Sequence, residues 1–358
     1  MKTMLNPILI FTIFLFLASC KNENNGDLEK NSSLEKEETV HSPFSEPHNL
    51  SEFKQTVFIP TLENKINLEN NTVYSASLLY AWGEIRQTIN SNLLIDPKFA
   101  DLTLLNNSQF YLNVLKDDEY SIDVKIEGKT ITAKAEFNKS LVFQPRLTEF
   151  HNKLKFNNQP VQSFGASYFD YPINQIIKVL YYENDENFIL KLIPTEKDHE
   201  IILFKPNQNF SSISEMIQEV KRLSEIGQRQ RTEDIHRWKY FLSDSDEDIV
   251  IIPKINFNIE TDYQSLIGNI FIAKNIDFEI VKAWQRTAFN LDEGGAVVES
   301  EAEMAVDAAA EAIENTKPNP QNFIFDKPFL ILLKRTDAQN PYFAFWVANG
   351  ELMQKEQL

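Results

Sequence analysis

The chain has 358 residues, enough for one large domain or two ordinary ones. Its 42% hydrophobic and 12% aromatic content can fill a substantial core, and its formal net charge of −17 excludes nonspecific binding to nucleic acid. With one cysteine and only nine glycines, it has no intrachain disulfide and no phosphate-cradling glycine loop.

The N-terminus reads as a processing signal. Lys2 precedes an apolar run, Pro7 to Leu17, that is too short to span a bilayer comfortably. The run leads into Leu17-Ala18-Ser19-Cys20, which resembles the lipoprotein signal of bacteria: small residues for the peptidase, then a thiol that takes the lipid. Residues 1–20 are therefore expected to be a signal peptide with Cys20 lipidated, on a protein anchored to the outer membrane of a bacterial cell envelope, facing either the periplasm or the surface. Residues 21–48 have almost no apolar content and read as a disordered tether, a coil able to hold the domain about 30 Å from the lipid. Residues 49–358 are then one folded domain, with no internal repeat.

In chain order, Val73 to Ile89 carries a helical apolar stripe of Leu78, Leu79, Trp82, Ile85 and Ile89. Strands are expected at Phe110–Val114, Tyr120–Ile126 and Thr130–Phe137, the last two forming a hairpin about Glu127-Gly128. Further strands follow at Ile176–Tyr182, Asn187–Ile193 and Glu200–Phe204. Ser212-Ile213-Ser214-Glu215 is a capping box that opens a helix with Ile213, Met216, Ile217, Val220 and Leu223 on one face. The basic residues Arg222, Arg229, Arg231, Arg237 and Lys239 are interleaved with acids and read as a solvated helix face. After the acidic turn Asp244–Asp248, strands return at Ile249–Pro253, Ile255–Ile259, Trp284–Leu291, Phe329–Lys334 and Tyr342–Val347. The fold class is α+β and β-rich.

Enzyme chemistry has little support. The histidines His41, His48, His151, His199 and His236 form no pair with metal-ligand spacing, and no nucleophile elbow is present. The acidic turn lacks the glycine and the terminal glutamate of a calcium loop. No enzyme activity, cofactor or metal is expected, and the chain is expected to be a monomer.

The segment from Ala296 to Gln321 stands apart, because long loops without structure of their own are usually functional or disordered. Its even positions Ala296, Val298, Ser300, Ala302, Met304 and Val306 are small or apolar, while Glu299, Glu301, Glu303 and Asp307 are acidic. That two-residue period suits a strand with one buried face. The same residues are good helix formers, and Val298, Ala302, Ala305, Ala309 and Ala312 would make a helical stripe. Both conformations stay open.

The C-terminal third resembles the serpins. Leu291-Asp292-Glu293-Gly294-Gly295 is similar to the turn that opens that family's hinge, and Phe325-Asp326-Lys327-Pro328-Phe329 to the motif that follows its reactive loop. Ile252-Pro253-Lys254, Lys191-Leu192-Ile193-Pro194 and Asn71 to Ser75 are weaker echoes. The shutter serines become Ser75-Ala76-Ser77, and Phe137-Asn138-Lys139-Ser140-Leu141 lacks the family's breach tryptophan.

The resemblance implies large, mainly antiparallel sheets with flanking helices and an exposed reactive-type loop. It implies a hinge of Glu293, Gly294, Gly295, Ala296, Val298, Ser300 and Ala302. The scissile bond falls near Ala309-Ala310 counted from Gly295, or near Lys317-Pro318 counted from Pro328. The implied partner is a target protease of serine or cysteine type, and the implied function is protease inhibition by loop cleavage and insertion. The alternative is a non-inhibitory binding lipoprotein whose loop contacts a partner.

Overall fold

The computed structural model describes residues 44–127, 130–233, 235–243, 247–298 and 320–356. Two sheets meet face to face and hold the centre of the core. One has seven strands in the order Ile177–Asn184, Asn187–Leu192, His199–Lys205, Phe329–Arg335, Phe343–Val347, Asn71–Ser75 and Thr56–Phe58, antiparallel except for the last pair. Its inner strands are apolar on both faces, as expected for a sheet covered on both sides.

The second has five strands: His48–Asn49, Ile255–Asp262, Trp284–Asp292, Gly295–Val298 and Lys139–Val142. Aromatic rings join the two sheets. Phe289 stacks on Phe343 at 4.7 Å between ring centres, and Phe257 meets Phe345 edge-on at 5.7 Å. Such pairs add to the large apolar area that each ring removes from water.

A four-stranded sheet (Asn322–Ile324, Ile249–Pro253, Gln159–Ala166, Thr148–Phe156) and a three-stranded one (Ile276–Glu279, Ile270–Ala273, Leu94–Ile95) complete the β structure with a separate hairpin, Tyr120–Glu127 and Thr130–Phe137. The helices are Ser77–Ile89, Ala100–Asn107, Tyr171–Ile176 and Ile213–Gln230. Among the described residues none is long and apolar enough to cross a membrane.

Several expectations are corrected. The helical stripe begins only at Ser77; Asn71–Ser75 is a strand, buried along its whole length and paired on both sides. Phe110–Val114 is a run of turns: Asn113 adopts a left-handed φ of 58°, and Leu112 N–H closes on the Gln109 carbonyl. Ser212 caps its helix by accepting from Glu215 N–H, but the Glu215 carboxylate reaches Ser211 instead, taking both its N–H and its hydroxyl. In the basic cluster the exposed Arg231 donates to the Val179 carbonyl beside the Tyr240 ring, and Arg237 and Lys239 lie in a 3-10 turn after the helix. His48 and Asn49, at the expected tether boundary, pair in parallel with Ile259 and Glu260 on the edge of the five-stranded sheet.

Candidate functional site

The hinge turn is built by a chain of short bonds. The Asp292 carboxylate accepts from Gly294 N–H at 2.7 Å and from the Asn290 amide at 2.8 Å. The carbonyls of Glu293 and Gly294 accept from Leu147 N–H and Phe143 N–H at 2.9 and 2.8 Å. Gly295 has φ +137°, and a Cβ there would stand 2.2 Å from the Leu141 carbonyl oxygen, so only glycine fits.

Glu293 is gripped by Arg146 at 2.6 Å and by Lys254 at 2.8 Å, and Lys254 also pairs with Glu149 at 2.5 Å. Burial alone would raise the Glu293 pKa, but the Lys254 bond and charge, with Arg146, hold it below the usual carboxylate range. Burial likewise pushes Lys254 down, and its two carboxylates more than offset that.

Gly295–Val298 then forms a strand, so Ala296 and Val298 belong to a sheet and not to a loop as expected. On one side it pairs antiparallel with Trp284–Asp292, setting Asn290 opposite Val297 and Leu291 opposite Ala296. On the other it pairs with Lys139–Val142, setting Leu141 opposite Ala296 and Lys139 opposite Val298. Ala296, Leu291 and Leu141 are all buried, which puts the even-numbered hinge position Ala296 on the core face.

Among the described residues, no strand joins the facing edges of residues 284–289 and Thr130–Phe137. Between them runs a cavity of about 580 Å³, floored by Leu78, Ala81 and Trp82 of helix Ser77–Ile89. One wall carries Ala133, Ala135 and Phe137, and the other Ala283, Gln285 and Thr287. The buried polar atoms of that second wall satisfy one another: Tyr263 hydroxyl donates to Gln285 at 3.1 Å, and Gln285 amide to Thr287 at 2.8 Å. Ser75 and Ser77, hydroxyls 3.3 Å apart, line the same cavity. The geometry is a slot between two strand edges, with Gly295–Val298 paired to both neighbours at one end.

The later motif is structural. Phe325 packs on Phe329 and Phe188 with ring centres 4.8 and 5.1 Å apart, and Asp326 accepts from the buried Lys205 at 2.8 Å. Lys327 pairs with Glu186 at 3.0 Å, and Pro328 leads into strand Phe329–Arg335. Asn71 ties the chain's end to its beginning, accepting from the N–H groups of Ala348 and Asn349 at 2.9 and 3.1 Å.

Cys20, Ser300, Ala302, Ala309, Ala310, Lys317 and Pro318 lie outside the described residues, and for Val298 only the backbone is described. Sequence reasoning missed one cluster altogether, in which the Glu119 carboxylate gathers Lys139, His199 and Arg335. Its partners are 20, 80 and 216 positions away in sequence, and no spacing rule links them.

The hinge turn, the slot beside it and the phenylalanine-rich strand entry sit in an α+β fold of mainly antiparallel sheets. Solved structures that this chain resembles are serpins. Serpin48, described as a highly specific serpin of the insect Tenebrio molitor, is 15% identical over 70% of this chain and 63% of its own, with a TM-score of 0.30. A serpin of Schistosoma mansoni is 12% identical over 70% of this chain and 61% of its own, at TM-score 0.34. The thermophilic serpin Tengpin, in its native state, is 13% identical over 71% and 63%, at 0.32. This chain therefore spans about three-fifths of the length of the serpins it matches. Likenesses this loose carry no weight for activity. No family model matches the sequence, and no curated protein matches it.

Proposed function

We propose that this chain is a lipid-anchored, serpin-like protease inhibitor of the bacterial cell envelope, acting by cleavage and insertion of the segment after Val298. A target protease attacks a loop peptide bond with its serine or cysteine, the leaving amine departs, and the loop carbonyl stays on the enzyme as an acyl ester or thioester. The freed N-terminal stretch then zips into the slot, carrying the acylated protease away before water completes hydrolysis. The observation that carries this reading is the cavity between two strand edges, at whose end Gly295–Val298 pairs with both neighbours.

Continuing the two ladders in register supports it. Ser300 would sit between Phe137 and Thr287, Ala302 between Ala135 and Gln285, Met304 between Ala133 and Ala283, and Val306 between Ile131 and Val281. The bulky Met304 thus falls between two alanines, and no charge is carried into the core, where an unpaired one would be costly. On the outer face Glu301 would lie between Arg286 and Glu136, one opposite and one like charge, and Glu303 between Trp284 and Lys134. Cys20 would hold the protein at the outer membrane through its lipid.

A second reading, a non-inhibitory binding lipoprotein, draws on Leu141 standing buried against Ala296 where the family has its tryptophan. The test is incubation of the full chain in detergent with a panel of serine and cysteine proteases. A complex that survives denaturing electrophoresis is the expected result. Clean cutting of the loop with neither complex nor gain in heat stability refutes inhibition in favour of the second reading.

A further inference from the structure

We infer that Glu119 is a positioning residue for loop insertion, holding one wall of the slot in the register that the incoming strand must meet. The inference rests on the insertion reading above. The wall concerned is the hairpin Tyr120–Glu127 and Thr130–Phe137, whose strands pair only with each other among the described residues. Glu119 stands immediately before its first strand, and Lys139 two residues after its second. They are the feet of the hairpin, and Lys139 Nζ donates to Glu119 Oε1 at 2.6 Å.

The same carboxylate fastens both feet to the seven-stranded sheet. His199 Nε2 lies 2.9 Å from Oε1, and Arg335 Nη1 lies 3.1 Å from both oxygens. His199 and Arg335 face each other across neighbouring strands of that sheet. With Nε2–H given to Glu119, His199 Nδ1 accepts from the Tyr342 hydroxyl at 3.2 Å, and the Tyr342 ring meets the edge of Phe137, on the slot wall, at 5.6 Å. Lys116 N–H adds a 2.7 Å bond to Oε2. The side chains of His199 and Arg335 are 3% exposed and that of Glu119 10%, so these bonds act away from solvent. Asp198 approaches His199 and, with Glu119, forms a set that could face a cation, but Arg335 and Lys139 already bring two positive charges to these carboxylates.

The placement gives the network its role. Lys139 is the residue opposite Val298, the last hinge position in the ladder, so the network sits where the next loop residue must enter. A slip of one residue in the wall would turn its exposed Lys134 and Glu136 toward the slot and carry Ala133 and Ala135 out, since strand side chains alternate. Buried ion networks are best attested as devices that fix register, not as sources of net stability.

The test compares wild type, Glu119→Gln and Glu119→Asp, each as the full chain in detergent. Three readouts are taken: melting temperature uncut, the rate at which a loop-cut chain acquires higher heat stability, and the ratio of covalent complex to cleaved product. Losing one charge-assisted set of bonds should slow insertion by about tenfold in Glu119→Gln and shift the ratio toward product to match, with Glu119→Asp recovering most of it. If Glu119→Gln fails to fold, Lys139→Gln removes the other foot and carries the same expectation. A glutamine variant that melts lower yet inserts and partitions like wild type overturns the inference alone. A wild-type chain that is cut and gains no stability overturns this inference together with the insertion reading.

Discussion

Replacing Gly295 with alanine tests how the hinge is seated. The added Cβ would lie 2.2 Å from the Leu141 carbonyl and 2.9 Å from Val142 Cα, backbone atoms with no soft end to move, at φ +137°. A non-glycine residue held in such a region costs roughly 1–3 kcal/mol, and forced overpacking roughly another 1–3. Relief requires Gly295–Val298 to peel from Lys139–Val142, which gives up that ladder as well. The neighbouring Gly294 is the control: its φ is not positive, and a Cβ would meet only Asp292 Oδ1 at 3.1 Å and Arg146 Nη2 at 3.4 Å, both at the ends of side chains. Urea titration and thermal melting of both variants should show Gly295→Ala less stable by about 2–5 kcal/mol, a drop on the order of 5–15 °C, and Gly294→Ala within about 1 kcal/mol of wild type. Proteolysis after Val298 should become faster in Gly295→Ala only. Equal, small losses in the two variants would refute the seating of the hinge strand between its two neighbours.

Other expectations follow from the same geometry. Lys254→Met leaves Glu293 half of its clamp gone in a largely buried setting, and should cost roughly 2–4 kcal/mol by denaturant titration; Arg146→Met, whose side chain is 66% exposed, should cost under about 1 kcal/mol. Ser300→Arg or Ala302→Arg would place a charge on the core face of the inserted strand, so an inhibitor should become a substrate, read as loss of the covalent band with cutting retained. Acid should loosen the slot wall. Burial alone would raise the Glu119 pKa, but the Lys116 N–H and the Lys139 bond and charge bring it down to about 2. A carboxylate with a depressed folded pKa contributes stability that is present above its unfolded pKa and lost as pH falls through the folded one. Melting temperature should therefore decline from about pH 4.5 toward pH 2, and the decline should be shallower in Glu119→Gln.

Much of this fold could be read from alternation and turn chemistry. Of the even positions read from Ala296, only Ala296 has a described side chain, and it is buried against Leu291 and Leu141; the helix after Ser212 starts where its cap said. The hairpin Thr148–Phe156 and Gln159–Ala166 escaped notice because an irregularity between Phe150 and Leu154, with Asn152 left-handed, breaks the two-residue period. Asn157-Asn158, both at positive φ, was the available signal, a two-residue turn of the kind that suits hairpins. That Gly295–Val298 is already a sheet strand was hidden for another reason: one of its partners, Lys139–Val142, lies far back in the chain. The slot is a property of two edges and a helix, and so belongs to tertiary structure alone. Glu119 is the extreme case, since nothing near it in sequence distinguishes it from the other acids of an acidic chain.

The most direct test of the central claim is thermal melting before and after a single cut in the segment 305–320, paired with denaturing electrophoresis of the protease mixture. Burial of Met304 and Val306 alone is worth roughly 3–6 kcal/mol, so insertion into the slot should raise the melting temperature by about 10 °C or more, alongside a covalent protease complex. A cut chain that melts where the intact chain does, with no complex on the gel, would contradict the claim that the slot receives the loop.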